Sequence, residues 1–227
     1  LVDKERNFYF LEMNTRLQVE HPITERVTGI DLVKAQIKVA NNEVLSYKQE
    51  DIKQLGHAIE ARIYAEDPNN NFIPSPGLVR HISEPRGLGV RTDGYVYEGY
   101  EIPVHYDPLI SKLIIWSPTR AEAIERMKRA LFEYKITGVK TNIPFVQSIM
   151  QADAFVEGNY NTHFIDDNIE KLIEPADNSD DNENIAMIMA YLDFQNVQNK
   201  RMDFANSKQV EGANWKNIGR MFRHNPY

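Results

Sequence analysis

The feature that most constrains this chain is a short alternation of polar and apolar residues near its start. Polar side chains occupy every second position from 12 to 20, namely Glu12, Asn14, Arg16, Gln18 and Glu20. Because side chains alternate faces along an extended backbone, these five project to one side if the segment stays extended. An apolar run at residues 8–11 precedes them and predicts a buried strand, paired in a hairpin with residues 1–2. We term residues 12–20 the polar row.

The side chains of the polar row suit the binding of a metal-bound nucleotide and a small anion. Glu12 and Asn14 offer oxygen ligands of the kind that Mg²⁺ prefers beside phosphate oxygens and water. Arg16 offers a planar donor fork for an oxyanion, and Glu20 is a candidate general base. Spacing alone leaves an alternative open, in which the row is an ordinary exposed strand face whose charges pair across a sheet.

Composition excludes several classes of protein. A net charge of -7 disfavours a general nucleic-acid binder, which needs clustered Lys and Arg. The absence of cysteine excludes disulfides and thiolate chemistry. No apolar run reaches the roughly 18 residues needed to span a bilayer, and no signal peptide is visible. We therefore expect a cytoplasmic protein without membrane or nucleic-acid partners, although a mitochondrial matrix location stays open for the parent protein.

The start of the sequence predicts that part of the parent protein lies upstream. The chain opens at Leu1 without a methionine and enters the predicted buried strand by Phe8. We expect a fragment that carries only half of an active site.

The pattern along the chain predicts an α+β fold. One helix is expected from about Pro22 to Gly29, and a second with Asp31 as its N-cap. Residues 57–116 predict antiparallel strands, including 78–82, 88–91 and 95–97, and residues 112–116 predict a central strand because they are apolar on both faces. A helix capped by a Thr119–Glu122 box follows, and then a shorter helix over residues 143–150.

The remainder of the chain changes character. Residues 166–184 are acidic and predict a solvated linker. Residues 185–227 predict a helical tail of unknown role, in which Trp215, Ile218 and Phe222 share a possible helix face. One hypothesis is that residues 215–227 dock partner subunits.

Six motifs carry a resemblance to a known family. They are residues 8–25 (FYFLEMNTRLQVEHPITE), 56–68 (GHAIEARIYAEDP), 74–77 (PSPG), 89–91 (GVR), 105–113 (HYDPLISKL) and 138–142 (GVKTN). In this order and spacing they closely resemble the biotin carboxylase component of biotin-dependent acyl-CoA or pyruvate carboxylases. The resemblance implies a terminal part of an ATP-grasp domain at residues 1–50. An antiparallel-sheet-plus-helix biotin carboxylase C-terminal domain then follows at residues 51–165.

The resemblance also implies a reaction and its cofactors. In this family ATP and bicarbonate give carboxyphosphate, whose CO₂ is captured by N1′ of biotin on a carrier protein. By similarity, Glu12 and Asn14 are ligands of Mg²⁺ or Mn²⁺, and Glu12 also lies on the nucleotide side.

Further roles follow from the same resemblance. Arg16 holds bicarbonate and carboxyphosphate, Gln18 and the backbone of Val19 line the bicarbonate pocket, and Glu20 is the general base. Arg91 would stabilise the biotin enolate as a cation placed where negative charge develops. Arg62 is predicted only in a structural ion pair.

The resemblance implies a homodimer with two kinds of partner, a biotin carboxyl carrier protein and a carboxyltransferase component. The chain alone is expected to be inactive, and the final substrate, such as an acyl-CoA, belongs to the carboxyltransferase. Two alternatives stay open: another ATP-grasp ligase, and a dimerisation or assembly module without catalysis.

Overall fold

The computed structural model describes residues 1–173 and 187–195, which belong to two separate units, residues 1–174 and 175–227. The elements of the first unit are α1 (His21–Thr28), α2 (Leu32–Ala40), β1 (His57–Tyr64), β2 (Glu66–Asp67), β3 (Ile73–Pro74), β4 (Gly77–Leu78), β5 (His81–Ser83), β6 (Val90–Gly94), β7 (Glu101–Ile102), β8 (Leu109–Ser117), α3 (Arg120–Glu133), β9 (Lys135–Thr137), α4 (Ile143–Gln151), α5 (Asp153–Glu157) and α6 (Phe164–Ile173). Two short 3₁₀ turns at Gln49–Asp51 and Pro68–Asn70 complete it. Across these described ranges, no helix combines the length and apolarity needed to cross a membrane.

The second unit is described only at residues 187–195, which are helical. This helix lies inside the tail that the sequence predicts to be helical. The predicted helix face of Trp215, Ile218 and Phe222 lies outside the described residues.

A three-stranded antiparallel sheet in the order β1-β8-β6 forms the centre of the first unit. β8 pairs with β1 on one side and with β6 on the other, so that Leu113 faces Ala61 and Thr92 across the two ladders. Leu113, Ile114 and Ile115 are fully buried, which means that both faces of β8 are covered at this point. The predicted central strand is confirmed.

The main core lies between this sheet and α3. Ile124, Met127 and Leu131 recur at helical spacing on α3 and are buried in the same cluster as Ile63 of β1. Burial of such side chains stabilises the fold by roughly 25 cal/mol per Å² of apolar surface. The hydroxyl of Tyr134, just past α3, pairs with Ser111 Oγ at 2.8 Å, and burial raises the pKa of Tyr134 to about 12.

The helix ends that the sequence predicts are confirmed, although only the Thr119 half of the predicted Thr119–Glu122 box is found. The hydroxyl of Thr119 accepts a hydrogen bond from the Glu122 backbone at the start of α3. Gly29 ends α1 in the left-handed region at φ 73°, and the Asp31 side chain accepts from the Lys34 backbone to cap α2. α1 then packs against β1 and β8, so the end of the polar row lies beside the central sheet.

The predicted buried strand at residues 8–11 is wrong. Phe8, Phe10 and Leu11 are 83%, 79% and 69% exposed. The predicted hairpin forms near its turn, where Val2 and Phe8 are bridged and the backbones of Leu1 and Asp3 hydrogen-bond to those of Tyr9 and Asn7. The polar row is not paired as a strand within the described residues either. A strand is stable when neighbours satisfy its backbone and a layer covers its apolar face. Residues 1–3 pair with residues 7–9, but among the described residues no layer covers the exposed apolar side chains of residues 8–11.

Two further predictions need correction. The predicted strand at residues 95–97 is absent, and the nearest strand is β6, which ends at Gly94. The acidic linker predicted from residue 166 begins inside α6, where Phe164 and Leu172 are buried with Phe145 in a small second cluster. Acidic residues in the first turn of α6 are favourable beside the helix N-terminus, so they do not prevent a helix here.

At Gly138 the backbone packs closely against the backbone of Leu78, and a substitution tests this contact. It has φ 104°, and a Cβ there would lie 2.1 Å from the carbonyl oxygen of Leu78. We expect Gly138→Ala to lower the free energy of unfolding by about 3 kcal/mol, because backbone strain and a clash add. Gly29→Ala is the matched control, since φ is 73° there and nothing lies within 4 Å of a Cβ. It should lower the free energy of unfolding by only about 1 kcal/mol in urea titrations. Equal losses in the two variants would contradict the close approach.

Candidate active site

Two hydrogen-bonded carbonyls anchor the C-terminal end of the polar row. The carbonyl oxygen of Gln18 accepts from the His21 backbone at 3.2 Å and faces His21 Nδ1 at 2.9 Å. The carbonyl oxygen of Val19 accepts from Lys112 Nζ at 3.0 Å. The first contact attaches the row to α1, and the second attaches it to the central strand β8. The last residues of the row are therefore fixed on the sheet although they form no strand.

Arg62 of β1 contacts the predicted general base. Its Nη2 lies 3.0 Å from Glu20 Oε2, and the two side chains are 42% and 57% exposed. A pair this exposed contributes about 0–1 kcal/mol to stability. From the sequence, Arg62 was expected to have only a structural role. In the sequence, Glu60 and Arg62 are separated by the single apolar residue Ala61. Along a strand this spacing puts Glu60 and Arg62 on one face and the buried Ala61 on the other, and this pattern could have identified the polar face.

Glu60 lies on the same face and carries a buried oxygen. Among the described residues, no hydrogen-bond partner is found for Glu60 Oε2. Burial raises the pKa of Glu60, and so does the negative charge of Glu20, whereas the charges of Lys112 and Arg62 oppose the shift. A carboxyl group whose pKa is raised by burial thus lies on the same face of β1 as Arg62, within the influence of the charges of Glu20, Lys112 and Arg62.

Arg91 lies in β6 and is held by two carboxylates. Its Nε and Nη2 donate to Asp93 and its Nη1 donates to Glu25, each at 2.7 Å. The hydrogen bonds to Asp93 and Glu25 raise the pKa of Arg91 despite its partial burial. Burial is the largest single influence on the pKa of Asp93 and raises it, but the hydrogen bonds with Arg91 and the positive charges of Arg91 and Lys112 together hold that pKa below its usual range.

Arg91 reaches the polar row only through intermediates. Within the described residues its polar contacts are Glu25 and Asp93, and Asp93 Oδ2 then lies 3.7 Å from Lys112 Nζ. Lys112 in turn holds the carbonyl of Val19. The role predicted for Arg91 beside biotin stays a prediction, and Arg62 is the arginine that the structure brings to the row.

The nucleotide end of the row is open. Glu12, Asn14 and Arg16 are exposed. Across residues 1–173 and 187–195 no group of three or more His, Cys, Asp or Glu side chains converges on a possible metal position. Two oxygen donors nevertheless fit Mg²⁺, which keeps several waters and is commonly bound through one or two carboxylates plus substrate phosphates.

An apolar groove of about 780 Å³ runs beside the row. Arg16, Gln18 and Glu20 line one side of it, and apolar side chains such as Leu32 and Val39 line the other. The sequence did not indicate this groove, because it forms only when α1 and α2 are placed beside the row.

Comparison with known proteins assigns the two parts of the first unit. Residues 60–167 match the model of the biotin carboxylase C-terminal domain. Residues 1–48 match the ATP binding domain of the carbamoyl-phosphate synthase L chain. Over 161 residues the chain is 59% identical to a pyruvate carboxylase subunit of Methanothermobacter thermautotrophicus, and over 162 residues it is 54% identical to biotin carboxylase 1 of Bacillus subtilis. The chain belongs to the biotin carboxylase family.

These matches cover 71% of the chain in each case, but only 33% and 36% of the two relatives. The biotin carboxylase match therefore spans about a third of the length of these curated relatives. The rival interpretation as another ATP-grasp ligase loses its support, because the longer matches are to carboxylases.

Solved structures agree with this assignment. The biotin carboxylase subunit of a pyruvate carboxylase matches with a TM-score of 0.74 and 48% identity, over 78% of this chain and 39% of that one. The biotin carboxylase domain dimer of Hydrogenobacter thermophilus 2-oxoglutarate carboxylase has a TM-score of 0.74 and 45% identity, with the same coverage. That structure is described as a complex with MgADP, ADP and bicarbonate. The predicted fold class is confirmed.

From the contacts of Arg91 we predict that its removal lowers the stability of the fold by an amount that depends on pH. Asp93 has a lower pKa in the folded chain than its ordinary value of 3.8, so its contribution is complete above that value and is lost as pH falls through the folded pKa. We expect Arg91→Met to lower the free energy of unfolding by about 2 kcal/mol at pH 7. The difference from wild type should shrink below about pH 4 as Asp93 protonates.

Urea titrations at pH 7, 5 and 3 measure this difference. The control is Arg129→Met, which removes an exposed pair with Glu133 at 3.7 Å and should change the free energy of unfolding by less than about 0.5 kcal/mol. A loss in Arg91→Met that stays constant down to pH 3 would show that the carboxylates are not its cause.

Proposed function

We propose that this chain supplies one wall of a biotin carboxylase active site, which carboxylates biotin at the expense of ATP and bicarbonate. The contact between Glu20 and Arg62 at 3.0 Å is the observation that carries the proposal. It joins the polar row to the sheet of the C-terminal domain and places a cation beside the predicted base. Membership of the biotin carboxylase family supplies the reaction class.

The polar row handles bicarbonate in this proposal. Glu20 accepts the proton from the O–H of bicarbonate, and the resulting carbonate oxygen attacks the γ-phosphorus of ATP, releasing ADP and forming carboxyphosphate. Arg16 provides a donor fork for the anion, and Gln18 and the backbone of Val19 line its pocket. The contribution of these side chains is to position the anion and to stabilise its charge.

The same wall handles biotin. Carboxyphosphate releases CO₂ and phosphate, the released phosphate takes the proton from N1′ of biotin, and N1′ then forms its bond to the CO₂. A cation beside the ureido oxygen stabilises the enolate that develops there. We assign this cation to Arg91, as the family resemblance implies, and its hydrogen bonds to Asp93 and Glu25 hold the guanidinium in place. Arg62, which contacts Glu20, is a second cation on the same wall.

Glu12 and Asn14 would hold Mg²⁺ or Mn²⁺, with Glu12 also on the nucleotide side. The metal ion, when bound, would neutralise charge on the phosphate oxygens of ATP. We further propose that the working assembly is a homodimer that acts with a biotin carboxyl carrier protein and a carboxyltransferase component. In this proposal an acyl-CoA is the final substrate, and the assembly works in the cytoplasm.

A second candidate function is assembly without catalysis. It is favoured by the description of one matching structure as a dimer. In that case the chain contributes an oligomer contact and the polar row is idle. The effect of Glu20→Gln on turnover of the assembled carboxylase distinguishes the two functions.

The role of Glu20 is tested by Glu20→Gln in the assembled carboxylase that contains this chain. We expect bicarbonate-dependent ADP formation to fall at least about 100-fold, because the amide cannot accept the proton. Glu133→Gln, at an exposed ion pair on α3, is the matched control and should keep full turnover. Retention of turnover within about twofold in Glu20→Gln would refute the assignment of the base.

The chain on its own is expected to be inactive. Its sequence contains no glycine-rich phosphate loop, and it spans about a third of the relatives that it matches. Titration with Mg-ATP, bicarbonate and free biotin should give no ADP above background, and light scattering should be measured alongside. Sustained turnover would contradict the proposal of a single wall. If light scattering shows a dimer and Glu20→Gln leaves the turnover of the assembled carboxylase unchanged, the assembly function is favoured instead.

A further inference from the structure

A lysine in the centre of the sheet holds the backbone of the polar row. Lys112 lies in β8, its side chain is 13% exposed, and its Nζ donates to the carbonyl oxygen of Val19 at 3.0 Å. The two residues are 93 positions apart in the sequence. A largely buried ammonium group is therefore directed at one backbone carbonyl between the predicted pocket residue Gln18 and the predicted base Glu20.

The neighbours of Lys112 make this placement unusual for a purely structural lysine. In register, Lys112 stands directly opposite Arg62 on β1 and opposite Asp93 on β6. Like charges that face each other across a ladder are destabilising. The repulsion is relieved because the two cations turn to different partners, Arg62 to Glu20 and Lys112 to Asp93 and Val19. Both cations thus reach the end of the polar row.

The contact fixes the direction of a peptide plane. In a trans peptide the carbonyl and the following N–H point in opposite directions. Lys112 draws the Val19 carbonyl toward the sheet, so the N–H of Glu20 points away from Lys112. The His21 contacts act in the same way on the Gln18 carbonyl and therefore on the N–H of Val19.

These two N–H groups are free to bind an anion. Among the described residues, neither the Val19 N–H nor the Glu20 N–H donates to another backbone or side-chain acceptor. Successive backbone N–H groups that point the same way in a turn form a cradle for oxyanions. Arg16 lies on the same short segment and adds a positive charge.

We propose that Lys112 is a positioning residue for bicarbonate. By holding the Val19 carbonyl on the sheet, it fixes the two backbone N–H groups that receive the anion and sets the position of Glu20 relative to it. This inference rests on the proposed function, because it requires bicarbonate to bind at the polar row. Lys112 itself does not touch the substrate.

The test compares Lys112→Met with Lys112→Arg. The methionine removes the donor and keeps the length and apolar character of the side chain, whereas the arginine keeps a donor and its charge. Lys128→Met is the matched control, because Lys128 pairs with Glu125 at 2.7 Å on the exposed side of α3. Lys112→Gln is a second loss variant that stays polar beside Asp93, in case the methionine variant does not fold.

Two measurements are made on these variants. In this chain, the amide of His21, whose N–H is bonded to the carbonyl of Gln18, should exchange at least about tenfold faster in Lys112→Met and Lys112→Gln, with other segments unchanged. In the assembled carboxylase, the KM for bicarbonate should rise about tenfold while the KM for Mg-ATP stays within about twofold. Lys112→Arg should restore most of both values, and Lys128→Met should match wild type.

The outcomes are distinct. Exchange that is unchanged in the loss variants would overturn the inference, and so would faster exchange with an unaltered KM for bicarbonate. Equal rises in the KM for bicarbonate and Mg-ATP would also overturn it, because they indicate a general structural defect. If wild-type carboxylase shows no bicarbonate-dependent turnover, the proposed function fails and the inference fails with it. Bicarbonate-dependent turnover that is insensitive to Lys112 refutes the inference alone.

Discussion

The active-site wall depends on a chain of charged contacts across the outer face of the central sheet. Glu25 on α1 binds Arg91, Arg91 binds Asp93, Asp93 approaches Lys112, and Lys112 holds the carbonyl of Val19. These contacts join α1, β6, β8 and the polar row, so all four are held together on one face. Hydrogen bonds to charged groups are worth about 1.5–3 kcal/mol each when partly buried. The row can therefore be fixed without belonging to a strand.

The two faces of β8 divide the structural and the functional tasks. Leu113 and Ile115 lie in the core with α3, while Lys112 on the opposite face contacts the polar row. Strand periodicity makes this division possible, because adjacent side chains point to opposite faces. A change of register by one residue would place Lys112 in the core and move Leu113 out of it. The apolar face therefore fixes the position of the functional one.

The sequence was sufficient wherever the determining signal was local. Asp31 and Gly29 mark helix ends through their own side chain or backbone freedom, and the apolar run of residues 113–116 indicates a central strand by itself. The prediction at residues 8–11 was wrong because burial of a strand depends on neighbours that are distant in sequence. For the same reason the contact of Arg62 with Glu20, across 42 positions, was not predicted.

The contacts of the site also differ in how easily they break. The exposed pair of Glu20 and Arg62 contributes about 0–1 kcal/mol, so it can open when a substrate needs either partner and leave the fold intact. The contacts of Lys112 and Arg91 are more buried, and breaking them would leave charges without partners near the core. The side chain of Glu20, the proposed base, must exchange its partner during turnover, whereas the backbone that carries it is held in place by these contacts. This combination of an adjustable side-chain pair and a fixed backbone results because the more buried cations, Lys112 and Arg91, lie on β8 and β6 rather than in the polar row.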